Sequence, residues 1–314
     1  MRLLLLGANG QLGRELQRSL GALGNVVAAT RDGRLQDDGA PGQARPGTVI
    51  AADLADPDAL AALVARQVPD AVVNAAAYTA VDQAEDDREA AFRINAEAPA
   101  ALARACAAAS IPLVHYSTDY VFDGRGSRPY REDDPTAPLG VYGASKLAGE
   151  DAVRAAGGRH LVLRTAWVYA AHGRNFLRTM LRLGAEREEL GVVADQVGTP
   201  TPAALVADAS ARMLAQALGD ATLRGTWHVV ADGQTSWHGF AEAIFAEAVA
   251  AGLLLRAPRV RPITTADYPT PARRPAYSHL DTARLRTDFG IDPPHWRAGL
   301  QQVVARLAAA APRP

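Results

Sequence analysis

The opening residues restrict the fold more than any other feature. Four leucines, Leu3 to Leu6, run directly into GANGQLG, and a helix-forming stretch, QLGRELQRSL, follows at once. A short, wholly apolar run reads as a strand buried on both faces, as in a parallel sheet. Gly7, Gly10 and Gly13 then let the chain turn sharply from strand into helix. The pattern recurs, with further apolar runs at NVVAAT (25–30), TVIAAD (48–53), DAVVNAAA (70–77), PLVHYST (112–118) and HLVLRTA (160–166). Helical sequence lies between them in DPDALAALVARQ, with Asp56 as its cap, in REAAFRINAEAPAALARACAAA and in SKLAGEDAVRAA. Such alternation implies an α/β fold, a Rossmann-type doubly wound parallel sheet.

Beyond Trp167 the alternation loosens. TWHVVA (226–231) reads as one more strand, SWHGFAEAIFAEAVA as an amphipathic helix capped by Ser236, and RAPRVRPITTADYPTPARRP as proline-rich turns. The expected organisation is a dinucleotide-binding domain over residues 1–166, to which the strand near 226–231 returns. A smaller, partly interleaved region over 167–314 is then mainly substrate-binding. Residues 33–47, rich in Gly, Pro and Asp, read as a surface loop.

Charge and cysteine use exclude several classes. The formal net charge is -1 and no block of like charge runs along the chain, so a broad nucleic-acid surface is not expected. Cys106 is the sole cysteine, which rules out an internal disulfide and a cysteine-based metal site and suits a reducing cytoplasm. The apolar run in MRLLLLGANG is too short for a signal peptide, and no segment reaches the roughly 18 apolar residues of a membrane span. A cytoplasmic location without membrane contact is the expectation.

The glycine segment also carries chemistry. Its spacing is GxxGxxG, at the first strand-to-helix turn. Glycine permits close approach of backbone to a pyrophosphate, and the helix N-terminus offers free N–H groups. Asn9, Gln11 and Leu12 lie within the same turn and join the cofactor-binding set. After the second strand come Arg31 and Asp32. An acidic group there would hold the ribose hydroxyl of NAD, and an arginine the 2′-phosphate of NADP. The expectation leans to NADPH, with NADH the alternative.

Lys146 is the only lysine among 33 basic residues, and Tyr142 lies four positions before it. On a helix this spacing puts both side chains on one face. An ammonium there stabilises a phenolate, whose free pKa is about 10, and makes tyrosine a usable proton donor. A compact ammonium also reaches a ribose hydroxyl, which the broad guanidinium of arginine does not do equivalently.

GANGQLG, Asn74-Ala75-Ala76-Ala77, Ser117-Thr118 and Tyr142…Lys146 form an ordered set that resembles the extended branch of the short-chain dehydrogenase/reductase superfamily. NAAAYTAVDQAE, INAEAPAALA, YSTDYVFDG, YGASKLAGE, LRTAWVY, DQVGTPT, TSWHGFAEAIF and RPAYSHLD extend the likeness, end to end, to the dTDP-4-dehydrorhamnose reductase family. The resemblance implies reduction of the 4-keto group of a dTDP-6-deoxyhexose. In that reading Tyr142 gives a proton to the C4 oxygen, Lys146 holds the ribose and tunes Tyr142, and Thr118 binds the sugar oxygen, with Ser117 as fallback. Asp119 contacts sugar or backbone, and Asn95 either lies near the nicotinamide or braces its helix. Asp53 and Leu54 receive adenine, and Ala75, Ala76 and Ala77 line the cofactor. Trp167 walls the sugar pocket, Asn175 and Phe176 lie on the substrate side, and Arg273 or Arg274, the latter preferred, meets the diphosphate.

Val197, Tyr277 and His279 depart from the family pattern on the substrate side. Some relatives hold magnesium at a dimer interface, and Glu15 has a suitable context, yet no further ligands align, so no metal is expected. The implied partner is a dTDP-sugar, with a homodimer as an option. Two other readings stay open: another nucleotide-sugar epimerase or dehydratase of the superfamily, or a non-catalytic subunit like the regulatory subunit of methionine adenosyltransferase. Thr118-Asp119-Tyr120 lacks the Asp-Glu pair of a dehydratase.

Overall fold

A computed structural model describes residues 1–36 and 47–310. Most of the expected 33–47 loop, residues 37–46, lies outside the described residues. The first half contains β1 (Arg2–Leu6), α1 (Gln11–Gly21), β2 (Asn25–Thr30), β3 (Thr48–Ala51), α2 (Pro57–Gln67) and β4 (Ala71–Asn74). It continues through α3 (Arg88–Phe92), a π-helical turn at Arg93–Glu97, α4 (Ala98–Ala108), β5 (Leu113–Thr118), α5 (Val141–Ala155) and β6 (His160–Thr165). Then come β7 (Val168–Tyr169), α6 (Phe176–Glu186), β8 (Glu189–Val193), β9 (Val197–Gly198), β10 (Thr201–Pro202) and α7 (Ala203–Gly219). The last elements are β11 (Gly225–His228), β12 (Thr235–Ser236), α8 (Trp237–Ala250), β13 (Arg259–Ile263), α9 (Ala283–Phe289) and α10 (Trp296–Ala310).

Among the described residues, seven strands form one sheet in the order β11-β6-β5-β4-β1-β2-β3, and every neighbouring pair is parallel. The leucine run of β1 shows why the sequence there is apolar without alternation. Leu3 and Leu5 pack with Leu16 of α1 and Val206 of α7, whereas Leu4 and Leu6 pack with Leu60 of α2 and Leu102 of α4. Both faces are covered, so each leucine removes its whole side chain from water, worth about 2 kcal/mol apiece.

Several boundaries are shorter than the apolar runs. β4 ends at Asn74, not Ala77, because the Asn74 Oδ1 accepts the Ala76 amide at 3.3 Å and turns the chain. β3 ends at Ala51. The run TWHVVA contributes only through His228, where β11 pairs with β6. The helical stretch from Arg88 to Ala108 carries a π turn at its middle.

Residues 203–228 lie late in the chain but belong to the sheet layers. Asp208 of α7 accepts bonds from Arg18 at 2.7 Å and Ser19 at 2.6 Å on α1. A second core forms around α6, α8 and α10, with Tyr169, Phe240, Phe245 and Trp296 at its centre. Ser236 caps α8 by accepting the Gly239 amide at 3.1 Å. Leu205, at the start of α7, packs against both this second core and the sheet core.

Candidate active site

The glycine turn is built to admit another backbone. Gly7 has φ +79°, and a Cβ there would stand 2.5 Å from the Ala76 nitrogen. A Cβ on Gly13 would stand 2.1 Å from the Gly7 carbonyl oxygen. Ala75 and Ala76 thus lie against the turn, and Ala77 follows them, all three partly exposed. Gly10 caps α1 without a side-chain oxygen, so it leaves first-turn N–H groups for an anion. Asn9 ties the turn to the segment after β2, donating to Arg34 O at 2.9 Å and accepting the Gln36 amide at 3.0 Å. Leu12 packs on the core beneath. This cradle fits a dinucleotide diphosphate.

At the end of β2, Arg31 is exposed. Asp32 is engaged in its own turn: its Oδ1 accepts the Arg34 amide at 3.1 Å and the Thr30 hydroxyl at 3.2 Å. Those bonds, the Arg34 amide foremost, hold its carboxyl below the usual range. The arginine is therefore the less committed of the two. Asp53 is exposed and accepts the Ala55 amide at 3.0 Å. Leu54, which follows it, is 7% exposed and belongs to the core cluster that contains Leu60.

Tyr142 and Lys146 stand on the first turns of α5. The amide of Val141 is capped by Glu85 Oε1 at 2.9 Å, across 56 residues, since Gly140 supplies no side chain. Lys146 is buried, and its Nζ donates to Tyr116 O at 2.6 Å. Burial lowers the ammonium to about 8, with Glu150 opposing. The Tyr142 phenol is pushed up by burial, drawn down by a hydrogen bond with Thr118, and pushed up again by Asp119 and Tyr120. The influences on this phenol are its burial, Thr118, Asp119 and Tyr120, while the Lys146 ammonium lies against the Tyr116 carbonyl.

Thr118 ends β5 and faces the phenol; its hydroxyl accepts the Tyr120 amide at 3.2 Å and donates to Asp119 Oδ1 at 2.9 Å. Ser117 faces the Glu150 carboxylate instead, because neighbours on a strand point to opposite sides. Asn95 lies in the π turn. Its Oδ1 accepts the Tyr78 amide at 2.9 Å, and its Nδ2 donates to Tyr78 O and Ser145 Oγ, each at 3.0 Å. It braces the segment after β4 against α5.

Trp167, just past β6, has φ +47° and stacks on Trp237 with centroids 3.5 Å apart and planes 5° apart. Such a backbone conformation is uncommon for a tryptophan and stores strain. Phe176 lies partly exposed, 4.6 Å from the Trp237 ring. Asn175 stands at the N-cap of α6. Its Nδ2 donates to Gln11 Oε1 at 2.8 Å and Ala170 O at 2.9 Å, and its Oδ1 caps α6 through the Arg178 amide at 3.0 Å. Both ends of the amide are engaged, and the residue anchors Gln11 of the glycine turn. Arg274 pairs with Asp82 at 2.7 Å and reaches the Tyr120 hydroxyl at 3.3 Å, while Arg273 is exposed.

Tyr277, His279 and Val197 build a strap: the Val197 amide donates to Ala276 O and the Ser278 amide to Val197 O, both at 2.8 Å, and His279 Nδ1 lies 2.7 Å from the Thr199 hydroxyl. Glu15 is buried with Arg306 at 3.0 Å, Arg18 at 3.7 Å and His172 at 3.8 Å, a basic surrounding that does not fit a divalent cation. Among the described residues no cluster of His, Cys, Asp or Glu suits a metal, and no helix is long and apolar enough to cross a membrane.

Sequence reasoning missed Glu85, Tyr120, Ser278 and Trp237. Tyr120 stands within YSTDYVFDG beside Thr118 and packs edge-on to Tyr142, 5.7 Å between centroids, so adjacency could have found it. Glu85 and Trp237 reach the site only through tertiary folding.

The chain matches the model of the RmlD substrate binding domain over residues 1–309. It is 51% identical over 303 residues to a dTDP-4-dehydrorhamnose reductase of Burkholderia thailandensis, covering 95% of this chain and 96% of that protein. It is 43% identical over 307 residues to one of Escherichia coli K12, covering 98% of each. A solved dTDP-4-dehydrorhamnose reductase from Bacillus anthracis, in complex with NADP, superposes with a TM-score of 0.83 at 35% identity, covering 96% of this chain and 98% of that one.

Proposed function

The chain belongs to the RmlD substrate-binding-domain family, and from that membership we propose that it reduces the 4-keto group of dTDP-4-dehydro-β-L-rhamnose to dTDP-L-rhamnose. NADPH is the donor in this reading, with NADH the alternative. The observation that carries it is the meeting of Thr118, Tyr142 and Lys146 where β5 ends against α5.

When bound, the dihydronicotinamide supplies a hydride. The chain does the rest. The backbone of Gly7, Asn9, Gly10, Gln11, Leu12 and Gly13 holds the diphosphate, with Ala75 to Ala77 alongside. Arg31 pairs with the 2′-phosphate, and Asp53 meets the adenine. Lys146 carries its charge at neutral pH, since its pKa is about 8, and bonds a ribose hydroxyl. Tyr142 keeps its proton at neutral pH, because burial lifts the phenol, and delivers it to the C4 oxygen as an acid. Thr118 aligns that oxygen with the phenol. Trp167 and Phe176 wall the sugar, and Arg274 stands at the diphosphate side while paired with Asp82. A cytoplasmic location and pairing as a homodimer complete the proposal, the second read by sedimentation equilibrium.

The test is to mix protein, NADPH and dTDP-4-dehydro-β-L-rhamnose and follow the nicotinamide absorbance. Sugar-dependent oxidation should fall by roughly 10²–10⁴-fold in Tyr142→Phe with NADPH binding retained. Absence of oxidation by the unsubstituted protein, with cofactor bound, would overturn the assignment.

A further inference from the structure

Asp82 stands between β4 and α3 and contacts residues far along the chain. Its Oδ2 accepts from Arg274 Nη2 at 2.7 Å, and its Oδ1 accepts the Ala272 amide at 3.3 Å. Both carboxylate oxygens grip the segment that leads into the strap. Arg274 Nη1 in turn donates to the Tyr120 hydroxyl at 3.3 Å. A guanidinium is a rigid planar fork with several N–H donors. Here Asp82 holds one arm of the fork and Tyr120 the other. The Arg274 side chain stays 23% exposed, so donors remain for phosphate oxygens.

Two routes lead from this clamp to α5. On the first, the Asp82 carbonyl accepts the Glu85 amide at 3.3 Å across a short 3₁₀ turn, Gln83–Glu85. The Glu85 carboxylate then accepts the Val141 amide at 2.9 Å, and Ala84 belongs to an apolar cluster with Val141 and Tyr142. On the second, the Tyr120 ring meets Tyr142 edge-on, with centroids 5.7 Å apart. The Tyr120 backbone also presses on α5: a Cβ on Gly143 would stand 2.3 Å from its carbonyl oxygen. An isolated exposed ion pair contributes little. This one is tied twice to the helix that bears the proton donor.

We propose that Asp82 is a positioning residue: it holds Arg274 on the Tyr120 hydroxyl and so fixes where the sugar nucleotide's diphosphate is gripped relative to Tyr142. The inference rests on the reductase reading above and on its placement of Arg274. A free arginine side chain loses rotamer freedom when it binds a ligand, whereas a held one has lost that freedom already on folding. The grip also sets register. With the diphosphate fixed at Arg274, the sugar reaches Tyr142 at one distance, and binding energy far from C4 is used for orientation there. Loss of the Asp82 charge therefore lowers kcat as well as affinity. Asp82 acts through Arg274 and has no part in the transfer of hydride or proton.

A double-mutant cycle on dTDP affinity tests this, read by calorimetric titration of the NADP-bound protein with dTDP. Asp82→Asn keeps the shape of the side chain and removes its charge, and it should weaken dTDP binding about tenfold. Arg274→Ala should weaken it at least as much. The double substitution should match Arg274→Ala within about twofold, because without the guanidinium Asp82 has nothing to hold. Additive losses, the mark of a side chain that only supports the fold, overturn this role. So does dTDP binding by Asp82→Asn that is unchanged or tighter. In steady-state assays Asp82→Asn should also lower kcat, by about threefold or more, while raising KM for the sugar nucleotide. A rise in KM at unchanged kcat overturns the register. Failure of the unsubstituted protein to bind dTDP overturns the reductase reading and this role with it, whereas dTDP binding that ignores Asp82 overturns this role alone.

Discussion

At the scale of single residues, the chemistry rests on where two ionisable groups are buried. Lys146 lies in a slot against the Tyr116 carbonyl and near His115, with 3% of its surface exposed. Arginine would bring the same charge on a wider, planar group. Lys146→Arg should therefore lower turnover about 100-fold or more while leaving a folded protein, measured by steady-state assay alongside circular dichroism. Asp119 gives a stability prediction of definite sign. Its folded pKa of about 6 is raised above the ordinary value near 3.8. Its contribution is thus present below the ordinary value and lost as pH rises through about 6. Asp119→Asn removes the ionisation, so it should be more stable than the unsubstituted protein at about pH 8, by at most about 3 kcal/mol, with the gap shrinking toward about pH 5. Urea unfolding at both pH values measures it.

At the scale of elements, α5 carries Tyr142 and Lys146 and is located by contacts from distant parts of the chain. Glu85 caps it, and Asn95 holds it through Ser145. Gly149 lets it lie on the π turn: a Cβ there would stand 2.0 Å from the Asn95 carbonyl oxygen, a backbone atom that cannot swing aside. Gly149→Ala should destabilise the protein by about 1–3 kcal/mol, read from the denaturation midpoint. The start of α6 couples the two halves of the site. Asn175→Ala removes its cap, worth about 1 kcal/mol, and frees Gln11 of the glycine turn. NADPH affinity should fall with it, measurable by fluorescence titration.

At the scale of the whole molecule, a buried ion pair joins α5 to the sheet. Arg164 on β6 donates to Glu150 at 2.9 and 2.7 Å, and Arg154 adds a bond at 3.0 Å. Burial alone would raise the Glu150 carboxyl, but Arg164 overrides it and holds the group below its usual range. Glu150→Gln leaves Arg164 buried without its counter-charge and should cost about 3–5 kcal/mol, tested by thermal and urea unfolding. The sequence by itself determined the parallel sheet, the glycine turn and the Tyr142–Lys146 pair. Each of these is written in local spacing: an unbroken apolar run for a strand covered on both faces, glycines where backbone meets backbone, four residues for one helical turn. Only the tertiary structure decided that Leu54 points into the core, that Asn175 is engaged by Gln11 and a helix cap, and that Thr118, not Ser117, faces the phenol. It also decided that the helix over residues 203–219 packs on α1 and that Glu85 caps α5. These outcomes depend on which atoms distant segments bring within hydrogen-bonding reach, a quantity that no spacing along the chain encodes.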